Sequence, residues 1–231
     1  PTFSKEYESE SYLLNGAQFT EKAHSHTPKK QQNRQSKKEF YVRVDANFLH
    51  ITRHGESPKN YTWKVLSKDG LKKTYTGFDG LMDSVCTEST PTDNNQITWV
   101  LTEVEDIHGN TCSYSYKNYG GTLYPKSITY TGRKTKKEKG LYNITFTYSP
   151  EVENADPTKL PKRLDNTSNY RLGVGQNDSI LLSNIEIYNA NTLVRGYRFE
   201  YTNGSFGKTH LTSITEYDSA KIDFYSHSFE Y

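Results

Sequence analysis

The chain repeats itself at a spacing close to 30 residues, and the repeating unit is a pair of alternating segments. Leu182-Ser183-Asn184-Ile185 returns 29 residues on as Leu211-Thr212-Ser213-Ile214, and Phe199-Glu200-Tyr201 returns 30 residues on as Phe229-Glu230-Tyr231. Leu101-Thr102-Glu103-Val104 and the Ser127-Ile128 pair are looser copies of the first element. The second arm closes on an aromatic-x-Tyr each time: Tyr114 and Tyr116, Phe146 and Tyr148, Phe199 and Tyr201, Phe229 and Tyr231. A unit this short cannot bury a face alone, so units at a fixed period must pack against their neighbours in sequence.

Each unit reads as a hairpin. In "WVLTEVEDIHGNTCSYSY" Val100, Thr102, Val104 and Asp106 share one parity, and Trp99, Leu101, Glu103 and Glu105 share the other. Beyond Gly109-Asn110, Cys112, Tyr114 and Tyr116 alternate with Ser113 and Ser115. Period 2 on both sides of a polar break is the pattern of a half-buried strand pair. "EFYVRVDANFLHITRHG" and "YTWKVLSKDGLKKTYTG" follow the same form, and Asp69-Gly70 suits a type I′ turn. Three more hairpins follow, the first with a basic tip from Arg133 to Lys139. No segment carries a helical stripe. The fold expected is all-β, an antiparallel hairpin array forming a curved or partly open sheet. Only 32% of residues are apolar, yet 19 are Tyr and 10 are Phe. That mixture suits sheets with one wet and one packed face, because a Tyr ring buries area while its hydroxyl stays solvated.

Residues 1–38 are mostly polar and read as a partly flexible lead, mobile over 21–38. Residues 39–231 read as the hairpin-repeat domain, broken by a polar excursion at 149–180. The first residue is Pro1, so the chain reads as a segment of a longer polypeptide.

Chemistry leaves few traces. Asp106 and His108 lie at a hairpin tip, where Asp and Asn-Gly are ordinary turn residues. His24 and His26 lie in the polar lead without a third ligand, and His50 and His54 read as solvated strand ends. The carboxylates Asp45, Glu103, Glu105 and Asp106 sit in no glycosidase-like motif. No nucleophile elbow, metalloprotease helix, phosphate loop or dinucleotide fingerprint occurs. No catalytic, metal or cofactor-binding residue is therefore expected, and no cofactor. Cys86 and Cys112 are either two thiols or one disulfide. A net charge of +2, with no aromatics interleaved in the basic tract, argues against nucleic acid, and no apolar run is long enough to enter a membrane. The five Asn-x-Ser/Thr triplets, at Asn60, Asn143, Asn166, Asn177 and Asn203, matter only in a glycosylating host. The Tyr and Trp load raises a second reading, a carbohydrate-binding β module of a cell-surface protein. The residues expected to hold the array together are Trp99, Leu101, Val104 and Gly109, then Tyr114, Tyr116, Ile128, Phe146 and Tyr148. Ile185, Phe199, Tyr201, Ile214, Phe229 and Tyr231 complete them.

"YLLNG", "FYVRVDANFLHITRHGESPKNYTWKVLSKDGLKKTYTG", "WVLTEVEDIHGNTCSYSY" and "VRGYRFEY…LTSITEY" together resemble the early part of bacterial RHS/YD-repeat proteins. They are most similar to the region shared by the Salmonella virulence plasmid B protein and the B component of insecticidal toxin complexes. The resemblance implies hairpins extending a sheet that winds into a hollow shell around a toxic C-terminal segment. It implies a non-enzymatic scaffold, secreted or on the bacterial cell surface. Its partners would be the remaining segments of the same parent chain, an enclosed toxin domain or a toxin-complex partner. The family's self-cleaving aspartyl site has no match here. The repeat consensus G…RY-x-YD survives only in fragments, "RGYRFEY" and "TEYD" at Tyr217-Asp218, which favours the family's less regular amino-terminal region.

Overall fold

A computed structural model describes residues 7–8, 10–22, 32–42, 48–77, 98–149, 163–170 and 175–231. The chain divides into two compact units, Pro1–Thr111 and Cys112–Tyr231. The first holds β1 (Tyr7–Glu8), β2 (Leu13–Leu14), β3 (Ala17–Glu21), β4 (Gln32–Asn33), β5 (Lys37–Val42), β6 (His50–His54), β7 (Thr62–Leu66), β8 (Lys72–Gly77) and β9 (Trp99–Glu105). The second holds β10 (Asn110–Tyr119), β11 (Thr122–Arg133), β12 (Tyr142–Ser149), β13 (Thr167–Asn169), β14 (Gln176–Asp178), β15 (Leu181–Asn189), β16 (Thr192–Asn203), β17 (Thr209–Tyr217) and β18 (Asp223–Ser228). Among the described residues there is no α-helix, only three single 3-10 turns. Every assigned pairing is antiparallel.

In the first unit the sheet order is β9-β8-β7-β6-β5-β3-β2, with β1 and β4 paired separately. Alternation along the strands selects the core. Phe40 on β5, Ile51 on β6, and Trp63 and Val65 on β7 are buried together with Tyr12 and Tyr61. Leu14, Phe19, Val42, Leu49, Tyr75 and Trp99 pack against them. The rings meet edge to face: Tyr12 lies 4.7 Å from Trp63 at 64°, and Phe40 lies 5.8 Å from Tyr12 at 82°. Such pairs contribute about 0.5–1.5 kcal/mol each beyond their buried area.

In the second unit the order is β18-β17-β16-β15-β12-β11-β10, again open rather than closed into a barrel. Its core is smaller, with Tyr124, Tyr148 and Ile180 buried against Phe146 and Leu182. Within the excursion, β13 and β14 pair as a hairpin of their own. It is fastened at both ends. Tyr124 Oη donates to Asp178 Oδ1 at 2.9 Å, and Asp165 accepts from the Thr209 amide at 3.2 Å and the Thr209 hydroxyl at 2.6 Å.

The turns share one construction. The amides of Gly70, Gly109 and Lys221 donate back to Ser67 O (2.9 Å), Asp106 O (3.1 Å) and Asp218 O (3.0 Å). Of each loop only that last residue has positive φ, at +81°, +79° and +62°. Asp69-Gly70 is therefore not the type I′ turn its dipeptide suggests, which needs positive φ at both central residues. It is a three-residue loop closed by a left-handed residue, the arrangement that accompanies a bulge.

His24, His26, Asp45, Cys86 and much of 149–180 lie outside the described residues, and with Cys86 goes its pairing with the half-buried Cys112.

Candidate functional site

Asp106 and His108 lie where a catalytic pair would have been sought. Asp106 Oδ1 accepts from the His108 amide at 2.8 Å and the Asn110 amide at 2.8 Å, and Oδ2 accepts from the Asn110 side chain at 2.7 Å. These bonds, the Asn110 side chain's first, hold the carboxyl below the usual carboxylate range. Asp218 repeats the pattern, its Oδ1 accepting from the Ala220 amide at 2.8 Å and the Ile222 amide at 2.9 Å. A carboxylate already occupied by backbone donors is a turn-former. Among the described residues, no three His, Cys, Asp or Glu side chains converge as a metal would require.

What recurs instead is a junction between successive hairpins. Tyr75 pairs with Leu101, Tyr148 with Leu182 and Tyr201 with Leu211. The preceding residues pair two further on: Thr74 with Glu103, Thr147 with Asn184, Glu200 with Ser213. Thr102, Ser183 and Thr212 are thus each left over as a bulge. The bulged hydroxyl is used: Thr102 Oγ1 donates to Thr74 O at 3.2 Å, and Ser183 Oγ to Thr147 O at 2.9 Å. One small β-hydroxy residue at this point fills the gap a bulge leaves and satisfies a carbonyl at the break.

Two of these tyrosines, and Tyr231, tie a hairpin to its own start. Tyr148 Oη donates to Pro125 O at 2.9 Å, Tyr201 Oη to Leu182 O at 2.8 Å, and Tyr231 Oη to Leu211 O at 3.0 Å. Pro125, Leu182 and Leu211 each lie three residues before Ile128, Ile185 and Ile214. Between the ties, Ile128 faces Ile144, Phe146 faces Ile185 and Phe199 faces Ile214. Tyr201→Phe is expected to cost about 1 kcal/mol in urea unfolding, the net contribution of one such bond; an unchanged midpoint would show that the tie is idle.

The other singled-out residues take varied places. Trp99 stacks on Tyr61 at 6.1 Å and donates from Nε1 to Pro58 O at 3.2 Å. Val104 faces Lys73, and Gly109 closes its turn. Tyr114 and Tyr116 are half-buried on β10, and a hydrogen bond with Cys112 pushes Tyr114 up to about 12. Phe229 donates its amide to Thr212 O at 2.9 Å. Trp63 is buried among other rings, and half-buried Trp99 stacks one face on Tyr61.

Sequence reading missed a buried ionic cluster in the first unit. Arg53 has no exposed side-chain surface, and its guanidinium clasps the Glu8 carboxylate, with the Nη2–Oε2 contact at 3.1 Å. It also donates to Gln35 O at 2.8 Å and lies 4.0 Å over the Tyr61 ring. Lys38 reaches Glu8 at 3.4 Å and also pairs with Glu21. Arg34 binds Glu10 and donates to the Tyr61 hydroxyl at 2.5 Å. Burial works against the charge on Arg53, but the Glu8 carboxylate outweighs it and holds the guanidinium charged. The signal was parity: Lys38 shares the face of Phe40, and Arg53 that of Ile51, inside strands whose core side was already legible.

A pH-linked fastening lies in the other unit. Hydrogen bonds from Thr209, with help from Arg163, pull Asp165 down to about 2. The folded value lies below the free one of 3.8, so the stabilisation is complete above pH 4 and fades as pH falls toward 2. Acid titration is expected to loosen the Thr209 amide in that window, read by hydrogen exchange; Asp165→Asn should abolish the pH step, and a step that persists would assign it elsewhere.

Comparison with known proteins gives a consistent picture. The fold matches the N-terminal domain of effector protein SpvB from Salmonella typhimurium strain LT2, at TM-score 0.63 and 15% identity, over 96% of this chain and 82% of that one. It matches the TcdB2-TccC3-Cdc42 structure at TM-score 0.66 and 15% identity, over 94% of this chain. It matches the Photorhabdus luminescens Tc holotoxin pore at TM-score 0.60 and 15% identity, over 95% of this chain. The chain spans only 13% and 12% of those two toxin-complex chains. No curated protein matches. Residues 5–174 match the family described as Salmonella virulence plasmid 65kDa B protein, well over half of the 231 residues. The chain belongs to the Salmonella virulence plasmid 65kDa B protein family.

Proposed function

We propose that the chain is a non-enzymatic structural segment of a larger secreted or cell-surface protein of the toxin-complex type. Its hairpins form part of a β-sheet wall around a toxin or effector segment. The observation that carries this reading is the repeated junction. One register break, one bulged β-hydroxy residue and one tyrosine tie let a sheet extend hairpin after hairpin, with no reacting centre required. The small share of the toxin-complex chains that it spans supports a part of a wall rather than a free-standing binder. Its partners are then the other segments of its parent and the enclosed cargo.

Protease digestion of the natural gene product tests it. A cargo region should survive while the hairpins are folded, stay with them through size exclusion, and become cleavable once urea opens the wall. Cleavage of every other region at the rate of the unfolded chain would contradict the proposal.

A further inference from the structure

The turn between β11 and β12 concentrates charge that the fold does not use. Arg133, Lys134, Lys136, Lys137 and Lys139 stand within seven residues, beside one carboxylate, Glu138. The tip therefore carries +4 in a chain whose net charge is +2. Its backbone is closed. Arg133 and Glu138 exchange two amide bonds at 3.0 Å, and the Lys137 amide donates to Lys134 O at 3.1 Å. Every residue from Arg133 to Lys139 is nonetheless exposed. Among the described residues, Arg133, Lys136, Lys137 and Lys139 enter no ion pair. An apolar side chain stands beside them. The Leu141 amide donates to Thr131 Oγ1 at 3.1 Å and its carbonyl accepts from the Ala190 amide at 2.6 Å, while the residue is 60% exposed. β11 and β12 lie inside their sheet order, with β10 on one side and β15 on the other, so no sheet edge explains this exposure.

The chemistry narrows the partner. Four of the five cations are Lys, a point charge without the planar fork that recognises one carboxylate or phosphate in a set geometry. A fully exposed turn offers no groove to enclose a peptide or a small anion. The rings at its base, Tyr130 and Tyr142, stack on each other at 5.2 Å and 13°, spending faces that nucleic-acid bases would need. Unpaired lysines around an exposed aliphatic side chain suit a broad negative surface with an apolar layer beneath it.

We propose that the hairpin tip from Arg133 to Leu141 binds the surface of an anionic lipid bilayer. The ammonium groups lie among the lipid headgroups and Leu141 enters their apolar boundary, with no segment crossing. This attachment is independent of the wall reading.

Titration with vesicles of phosphatidylcholine carrying phosphatidylserine tests it, on this chain and on the natural gene product. Both should bind these vesicles, ignore pure phosphatidylcholine, and release as salt is raised. Each cation removed should weaken binding about fivefold, so Lys136→Gln with Lys139→Gln should cost about twenty-five-fold. Lys64→Gln with Lys68→Gln makes the same charge change at exposed lysines of the first unit and should cost about twofold at most. Leu141→Ser should weaken binding at high and low salt alike. An environment-sensitive dye on Thr135→Cys, in a Cys86→Ser, Cys112→Ser background, should brighten on the vesicles, and the same dye on Lys68→Cys should not. Equal losses from the two lysine pairs, or equal binding to neutral vesicles, would overturn the proposal. So would binding of duplex DNA or polyglutamate as tight as that of the vesicles, or a natural product that leaves the vesicles free. None of these outcomes depends on whether that product encloses a cargo.

Discussion

Arg53→Met is expected to destabilise the first unit by about 3–5 kcal/mol, the usual cost of leaving half of a buried ion pair behind. The substitution keeps bulk but strands Glu8, whose side chain is 3% exposed, leaving Lys38 at 3.4 Å as its cationic partner among the described residues. It also removes the cation from the Tyr61 ring and frees Gln35 O. The double variant Glu8→Met, Arg53→Met should recover much of the loss, because two apolar groups leave no buried charge unpaired. Both tryptophans of the chain, Trp63 and Trp99, pack in this core, so their fluorescence reads the unfolding of this unit. A single-variant loss below about 1 kcal/mol, or a double variant no better than the single, would show that the cluster is solvated rather than sealed.

Gly196→Ala should cost the second unit about 3 kcal/mol, the upper part of the range for overfilling a packed site. Gly196 on β16 faces Tyr217 on β17, and the far end of the tyrosine ring occupies the space a side chain there would need. A Cβ at Gly196 would sit 2.1 Å from Tyr217 Cζ, far inside contact, so the ring must leave. Tyr217 is among the most buried residues of the unit, and its hydroxyl donates to Glu186 Oε1 at 3.0 Å. Displacing it therefore exposes a ring and takes a donor from a half-buried carboxylate. Burial raises the Glu186 pKa, but hydrogen bonds from Tyr188 and Tyr217 and the Lys221 ammonium more than offset it, leaving the value lowered. The folded pKa lies below the free value of 4.5, so Glu186 stabilises the fold above that pH, and the contribution is lost as pH falls. In Gly196→Ala its titration should move upward and the acid-dependent part of stability should shrink. Amide exchange across β15 to β17 reads the loss. Pairing Gly196→Ala with Tyr217→Ala should cost less than the two single losses added, since the clash and the ring disappear together. Strict additivity would mean that the ring does not rest on the glycine.

The strands were legible because their period is short and their burial one-sided. Trp63 and Val65 fall on the parity that alternation assigns to the core, and the Leu182 and Leu211 segments occupy equivalent strand positions. What escaped was whatever depends on contacts between distant segments. A sequence separation of 45 between Glu8 and Arg53 hides an ion pair that composition reads as two solvated charges. The tyrosine tie was half visible: the repeat marked Tyr201 and Tyr231, but only the hydroxyl geometry shows which carbonyl each one holds. The bulges went unread although they left a trace: one leftover residue sets Leu182 and Ile185 three apart, where an unbroken strand spaces same-face residues by two. Asp69-Gly70 misled on turn type because the dipeptide fits two turns, and strand register chooses between them.

The most direct test of the central claim is single-particle imaging of the natural gene product that contains these hairpins. The account predicts a continuous antiparallel wall around an interior holding polypeptide. A compact particle with no enclosed volume would contradict it.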